Sequence, residues 1–190
     1  GENKKEIKLE RKAQKQTAQY TNTVINNNGG TISNLKILGT IPSKGDKYGS
    51  TIDTKFASNV ESVEGLDISV YYSENINAKA DLNNTENGWR EEITEDSKAY
   101  LVVVNSKVQQ GQELHFTYSV ELGENLEYGV KAISSYKVEY AERTEAENQL
   151  ASLENINIAK YAVAEAEQNQ TTPTETVEAA LGGTEEMPVV

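Results

Sequence analysis

Cysteine is missing from the 190 residues. Its absence excludes disulfides, thiol nucleophiles and thiolate-ligated zinc or iron–sulfur clusters together. An extracellular chain of this kind must be held by packing or by some other cross-link. Histidine occurs once, so a serine hydrolase would depend on His115, and no G-x-S-x-G frame accompanies it. A lone histidine without metal-ligand neighbours in sequence reads as structural, facing away from Leu114 and Phe116. Apolar runs are short, and none is long enough to span a bilayer, so no direct membrane insertion is expected. Positive charge is scarce: 18 Lys and Arg stand against 30 Asp and Glu, for a formal net charge of -12. Such a surface repels phosphate backbones and argues against nucleic acid as a partner. The basic residues gather early, in KKEIKLERKAQKQ (4–16), which reads as a solvated strand face or a frayed terminus. Gly1 is followed by no signal segment, so the sequence reads as a mature segment or an excised fragment.

Hydrophobic residues make up 36% of the chain, and mean hydropathy is -0.64. The core must be thin. An antiparallel sandwich, in which alternate residues are apolar, fits this better than a parallel sheet buried on both faces. The chain alternates accordingly. Lys8–Lys12 reads as a first strand. Tyr20, Asn22 and Val24 share one face, and Leu35, Ile37, Gly39 and Ile41 share another. Between them Asn26–Gly30 is a turn cluster, because Asn and Gly tolerate positive φ. The pair reads as a hairpin whose second strand stops at Pro42, which has no amide hydrogen to give. Leu66, Ile68 and Val70 alternate in 66–72. YLVVV (100–104) suits a central strand. Leu114, Phe116, Tyr118 and Val120 give the cleanest alternation, and Tyr136, Val138 and Tyr140 repeat it. Beyond residue 142 the composition is helix-like, yet INI and YAV alternate, and a last strand is expected within 150–158. QNQTTPTETVE (168–178) reads as linker. The fold class expected is all-β, an antiparallel Ig-like β-sandwich.

Three stretches invite chemistry. The polar loop 74–88 spaces oxygen-bearing side chains at 81, 83, 85 and 87, followed by Gly88, as calcium loops do; without more carboxylates or flanking helices it reads as a plain polar loop. Trp89, which follows it as the start of a strand, could join Tyr71 and Tyr72 in an aromatic platform for a sugar. One of the two tyrosines must then face the core. Thirty acidic residues supply carboxylate pairs everywhere, so no glycosidase pair stands out. Two N-x-T sequons, at Asn83 and Asn169, are too short a pattern to carry weight alone. No catalytic, cofactor-binding or metal-ligating set is identified.

These segments resemble the tandem Ig-like modules of Gram-positive, clostridial-type cell-surface proteins known as conserved repeat domains (DUF11). YTNTVINNNG (20–29) followed by a strand ending in Ile41-Pro42 matches one end of the pattern. VYYSENINAKADLNNTENGW (70–89), YLVVV, LHFTYSVEL (114–122) and ENLEYGVKAISSYKVEY (124–140) follow in the family's order. The resemblance covers about residues 7–158 and carries no catalytic signature. It implies one module over 1–158, a linker over 159–175, and a tail or the start of a following repeat over 176–190. It further implies a secreted or cell-wall-attached, non-enzymatic repeat module in the stalk of a larger protein. The module would be monomeric, need no cofactor, and have neighbouring modules as its partners. The alternative is an adhesin module that contacts host glycan or protein through loop 74–89. A hydrolase accessory domain would need catalytic sequence elsewhere. Asn22 departs from the family pattern, which has an apolar residue there. A buried amide needs partners. It is either hydrogen-bonded in place or joined to a lysine such as Lys131 by the isopeptide bond found in several Gram-positive stalk domains, a reaction that needs a neighbouring carboxyl group.

Overall fold

The computed structural model describes residues 3–4, 6–9, 15–27, 29–123, 126, 129–141, 150–161 and 174–179. Residues 10–12 of the first expected strand lie outside that set, as do 142–149, 162–173 and 180–190. Strands account for almost all of the regular structure: β1 (Asn3–Lys4), β2 (Glu6–Leu9), β3 (Gln16–Ile25), β4 (Ser33–Thr40), β5 (Lys55–Phe56), β6 (Glu61–Ser62), β7 (Ile68–Ser73), β8 (Ala99–Val104), β9 (Glu113–Gly123), β10 (Lys131–Ala141), β11 (Leu150–Tyr161) and β12 (Thr174–Ala179). They form two six-stranded sheets. Sheet A runs β1-β12-β3-β9-β5, with β6 also on β9; sheet B runs β2-β11-β10-β4-β8-β7. Most neighbours are antiparallel. The pairs β1–β12, β12–β3 and β2–β11 are parallel. The protein is thus an all-β sandwich, as its alternation and thin apolar content require. The last expected strand is β11, and β12 lies beside β3.

Alternation decides which side chains fill the space between the sheets. In β9 every second residue from Leu114 to Leu122 is buried and the others are not. Tyr20, Asn22 and Val24 of β3 are fully buried opposite them. Leu35, Ile37, Val102, Val104, Tyr136 and Val138 supply the inner face of sheet B. Burial of this kind contributes roughly 25 cal/mol for each Å² of apolar surface removed from water.

The segment 19–45 corrects one expectation. β3 and β4 are not a hairpin, because β3 lies in sheet A and β4 in sheet B. Their connection is an arch. Asn26 holds its base, donating from Nδ2 to the carbonyls of Gly30 and Val108 at 3.0 Å each. Alternation is the same for two strands side by side and two strands face to face, so it cannot tell a hairpin from an arch. Pro42 does follow the end of β4, and its carbonyl accepts from the N–H and Oγ1 of Thr54 at 3.1 and 2.9 Å.

The core is unusual in its tyrosines. Six of them, at 20, 72, 100, 118, 136 and 140, are at most 2% exposed. Their hydroxyls need partners there, and for four of them a partner lies across the sandwich. Tyr20 Oη donates to the Ala132 carbonyl at 3.1 Å, and Tyr136 Oη to the Thr23 carbonyl at 3.2 Å. Asn22 Nδ2 donates to Tyr100 Oη at 2.6 Å. Tyr118 Oη pairs with Ser134 Oγ. Each bond joins sheet A to sheet B. Tyr100 also explains a glycine: a Cβ on Gly39, its cross-strand partner, would sit 2.0 Å from the ring's Cζ.

Candidate functional site

The outward-facing residues of sheet B build the other surface of interest. In β4 these include Lys36, Leu38 and Thr40; in β10 they are Ser135, Lys137 and Glu139, paired in register with them. Leu101 of β8 also points outward, between Leu38 and Tyr71, yet it is fully buried. The long loop 74–88 lies over this side of the sheet, tied to it where Lys36 reaches the Ala80 carbonyl.

Side chains bonding to nearby backbone shape that loop. Asn75 Oδ1 accepts from Asn77 N, Asp81 Oδ1 from Asn83 N, and Asn84 Oδ1 from Glu86 N. A single 3-10 turn, Thr85–Asn87, ends at Gly88 in the left-handed region, at φ 66. Asn87 is buried and ties the end of the loop back to its middle, accepting from Lys79 N at 3.0 Å and donating to the Asp81 carbonyl at 2.8 Å. Ser73 Oγ donates to the Asn87 carbonyl. Lys36 reaches up from the sheet to the Ala80 carbonyl at 3.2 Å. Of the four side chains that suggested calcium, Asp81 and Asn87 accept backbone N–H groups. Among the described residues no group of three or more His, Asp or Glu side chains is placed to hold a metal.

The aromatic candidates separate. Tyr72 faces the core; its hydroxyl accepts from Val60 N at 2.9 Å, and burial raises its pKa above the usual tyrosine value. Tyr71 is half-buried on the outer face. Trp89 begins no strand. The nearest pairing is an isolated bridge between Arg90 and Tyr72, and the indole N–H donates to the Lys79 carbonyl at 2.8 Å. Trp89 therefore braces the loop, and a platform of all three rings does not form.

Asn22 and Lys131 also sit apart in character. Asn22 is fully buried against Tyr100, whereas Lys131 is exposed at the start of β10, its N–H bonded to Thr51 Oγ1 at 2.8 Å. No Asp, Glu or Lys is among the buried residues whose side chains are described. His115 points out of β9 as expected. Its ring lies between Glu64 at 3.3 Å and Glu113 at 3.0 Å.

Loop 74–88 covers only part of the outer face. Beyond its rim is a cleft of about 610 Å³. Its floor is Leu38, Thr40, Ser135 and Lys137; one wall is Ile76–Lys79 and the other Gly45–Tyr48. The second wall is shaped by Asp46, whose carboxylate accepts from the N–H groups of Ser43, Tyr48 and Ser50 at 3.2, 3.1 and 2.9 Å. Lys47 stands over the Tyr48 ring, 5.1 Å from its centroid, within cation–π range. Sequence reasoning missed this wall. A lysine–tyrosine pair between Gly45 and Gly49, in an otherwise polar loop, was the available signal.

The chain matches no family model and no curated protein.

Proposed function

We propose that this protein is a non-enzymatic, Ig-like structural module of a bacterial cell-surface protein, a spacer in its stalk. One observation carries the reading: the strands at the two ends of the chain are parallel neighbours. β1 lies beside β12, with Asn3 opposite Thr176 and Lys4 opposite Val177, and β12 in turn lies beside β3. In a parallel pair the chain enters at one end and leaves at the other. Tension between the two tethers then runs along the strands. The hydrogen bonds of these pairs are loaded in shear and share the force, instead of opening one at a time. The acidic surface, with a formal net charge of -12, keeps neighbouring modules apart in solution. The resemblance to conserved repeat domains supports the same reading and an extracellular location.

Single-molecule pulling tests it. The protein has no cysteine, so introduced pairs define the points of load. Pulling from the two termini is expected to need several-fold more force than pulling from Asn27→Cys and Gln110→Cys, which opens β3 from β9 at one end. Equal forces in the two geometries would remove the mechanical reading.

The second reading is a binding module that contacts a host glycan or protein. Tyr72 is buried and gives it no surface; the cleft beside loop 74–88 favours it.

A further inference from the structure

We propose that the free edge of β7 takes an extended, lysine-bearing segment of another polypeptide as an added antiparallel strand, with Ile68 and Val70 supplying the hydrogen bonds. The inference goes beyond the stalk reading, and its failure would leave that reading as it stands.

β7 is the outermost strand of sheet B on one side. Its backbone groups alternate in direction. Tyr72 points away from β8: its N–H donates to the Arg90 carbonyl at 2.7 Å, and its carbonyl accepts from Arg90 N at 3.0 Å. The carbonyls of Asp67 and Ser73 point the other way, accepting from Asn105 N and Lys98 N on the side of β8. Period two then turns the N–H and C=O groups of Ile68 and Val70 outward, like those of Tyr72. Among the described residues no partner takes up these groups.

The chain begins such a pairing itself and breaks it off. Arg90 forms an isolated antiparallel bridge with Tyr72. Continued in register, Glu92 and Thr94 would stand opposite Val70 and Ile68. Instead the backbone bends at Glu91 and Glu92, and Thr94 N bonds to Ser97 Oγ. The place along the edge is left to another strand.

The side chains agree. Ile68 and Val70 lie on the core face of β7 with Tyr72, yet they are only half-buried. Their partners in β8, Val104 and Val102, are sealed. The sandwich is therefore open along this edge. In an added antiparallel strand the residues that exchange hydrogen bonds with Ile68 and Val70 also share their face. The segment must then be apolar at every second position. Backbone pairing supplies the affinity and these side chains the selectivity. A second copy of the chain is the poorer occupant, since each carries a formal net charge of -12 and Asp67 is exposed at the end of the free edge. A segment with lysine at its ends is attracted where a second copy is repelled.

Amide exchange in the whole protein, with and without the peptide acetyl-KVTVTVK-amide, tests the proposal. Saturating peptide should slow exchange at Ile68 and Val70 by about ten-fold or more. Ser69 and Tyr71 should not change, because their N–H groups already face β8. N-methylating the valines of the peptide should abolish the protection, and N-methylating its threonines should not. Val70→Pro removes one outward N–H, which an edge strand tolerates, and should lose the peptide. Protection that survives N-methylated valines or Val70→Pro, or none at millimolar peptide, would overturn the inference. Protection of Ile68 and Val70 that rises with protein concentration alone would overturn it in favour of a second copy. Equal protection by acetyl-EVTVTVE-amide would overturn the charge assigned to the occupant.

Discussion

The two faces of sheet B are made by the same strands and end differently. On the inner face Ile37, Gly39, Tyr100, Val102, Tyr136 and Val138 meet sheet A and are sealed. On the outer face Leu38, Leu101 and Lys137 meet no second sheet. A polar loop lies over part of this face, and a cleft opens beside it over Leu38. The inner face is fixed by side chains that reach across to a partner sheet. The outer face is fixed by backbone groups tied into a loop. The two faces are held by different means, so substitutions on them should differ in size and in kind.

Gly39→Ala should have the largest effect. The new methyl would overlap Tyr100, and the ring has no room to move in a packed core. A loss of roughly 3 kcal/mol is expected, read as a lower denaturant midpoint at constant slope. A change within experimental error would mean that the inner face is looser than its packing implies.

Alkaline pH should cost a comparable amount at a single buried tyrosine. Burial, and then the neighbouring tyrosine hydroxyls, push Tyr20 and Tyr100 well above the usual tyrosine value, and burial takes Tyr118 up to about 12. The unfolded chain loses these protons near pH 10. A tyrosine that holds its proton more tightly when folded stabilises the fold in full below that pH. The contribution is lost as pH rises through about 12, a loss on the order of 3 kcal/mol for Tyr118 alone. Tyrosinate absorbance should rise in two stages, exposed tyrosines first and the core only on unfolding. A single stage near pH 10 would contradict the sealed inner face.

Asn22→Leu should cost on the order of 2 kcal/mol, because it leaves the Tyr100 hydroxyl buried without its donor. Urea titration measures it. A stabilised variant would show that the amide is dispensable at that position.

Trp89→Phe should be the mildest, about 1 kcal/mol or less, from one lost hydrogen bond at a half-buried site. Its effect should appear locally, as faster amide exchange at Lys79 and Ala80 with global stability nearly unchanged. Global loss instead would join the two faces into one cooperative unit.

Much of the inner face was legible in the sequence. Leu114, Phe116, Tyr118 and Val120 alternate, and so do Tyr136, Val138 and Tyr140; period-2 burial is a local rule that a sequence expresses directly. The arch after Ile25 was not legible, because strand partners are chosen by the whole chain and not by the turn alone. Nor was the role of Trp89. Its place depends on where a loop of fifteen-odd residues folds back, and the Lys79 carbonyl that holds it has no signature in sequence. The cleft combines both difficulties. Lys47 and Tyr48 lie about 90 residues from Lys137 in sequence, and only the crossing of β4 beside β10 brings them to one place.

The arch has a consequence in time. Because the chain passes to the opposite sheet after Ile25, β3 cannot pair with the strand that follows it. Its antiparallel partner is β9, beginning at Glu113, and its parallel partner is β12, beginning at Thr174. As the chain emerges from a ribosome or a membrane pore, nothing made in the first hundred residues can complete sheet A. Closing such distant contacts is slow, so nearly all of the protein must be through the exit before it locks.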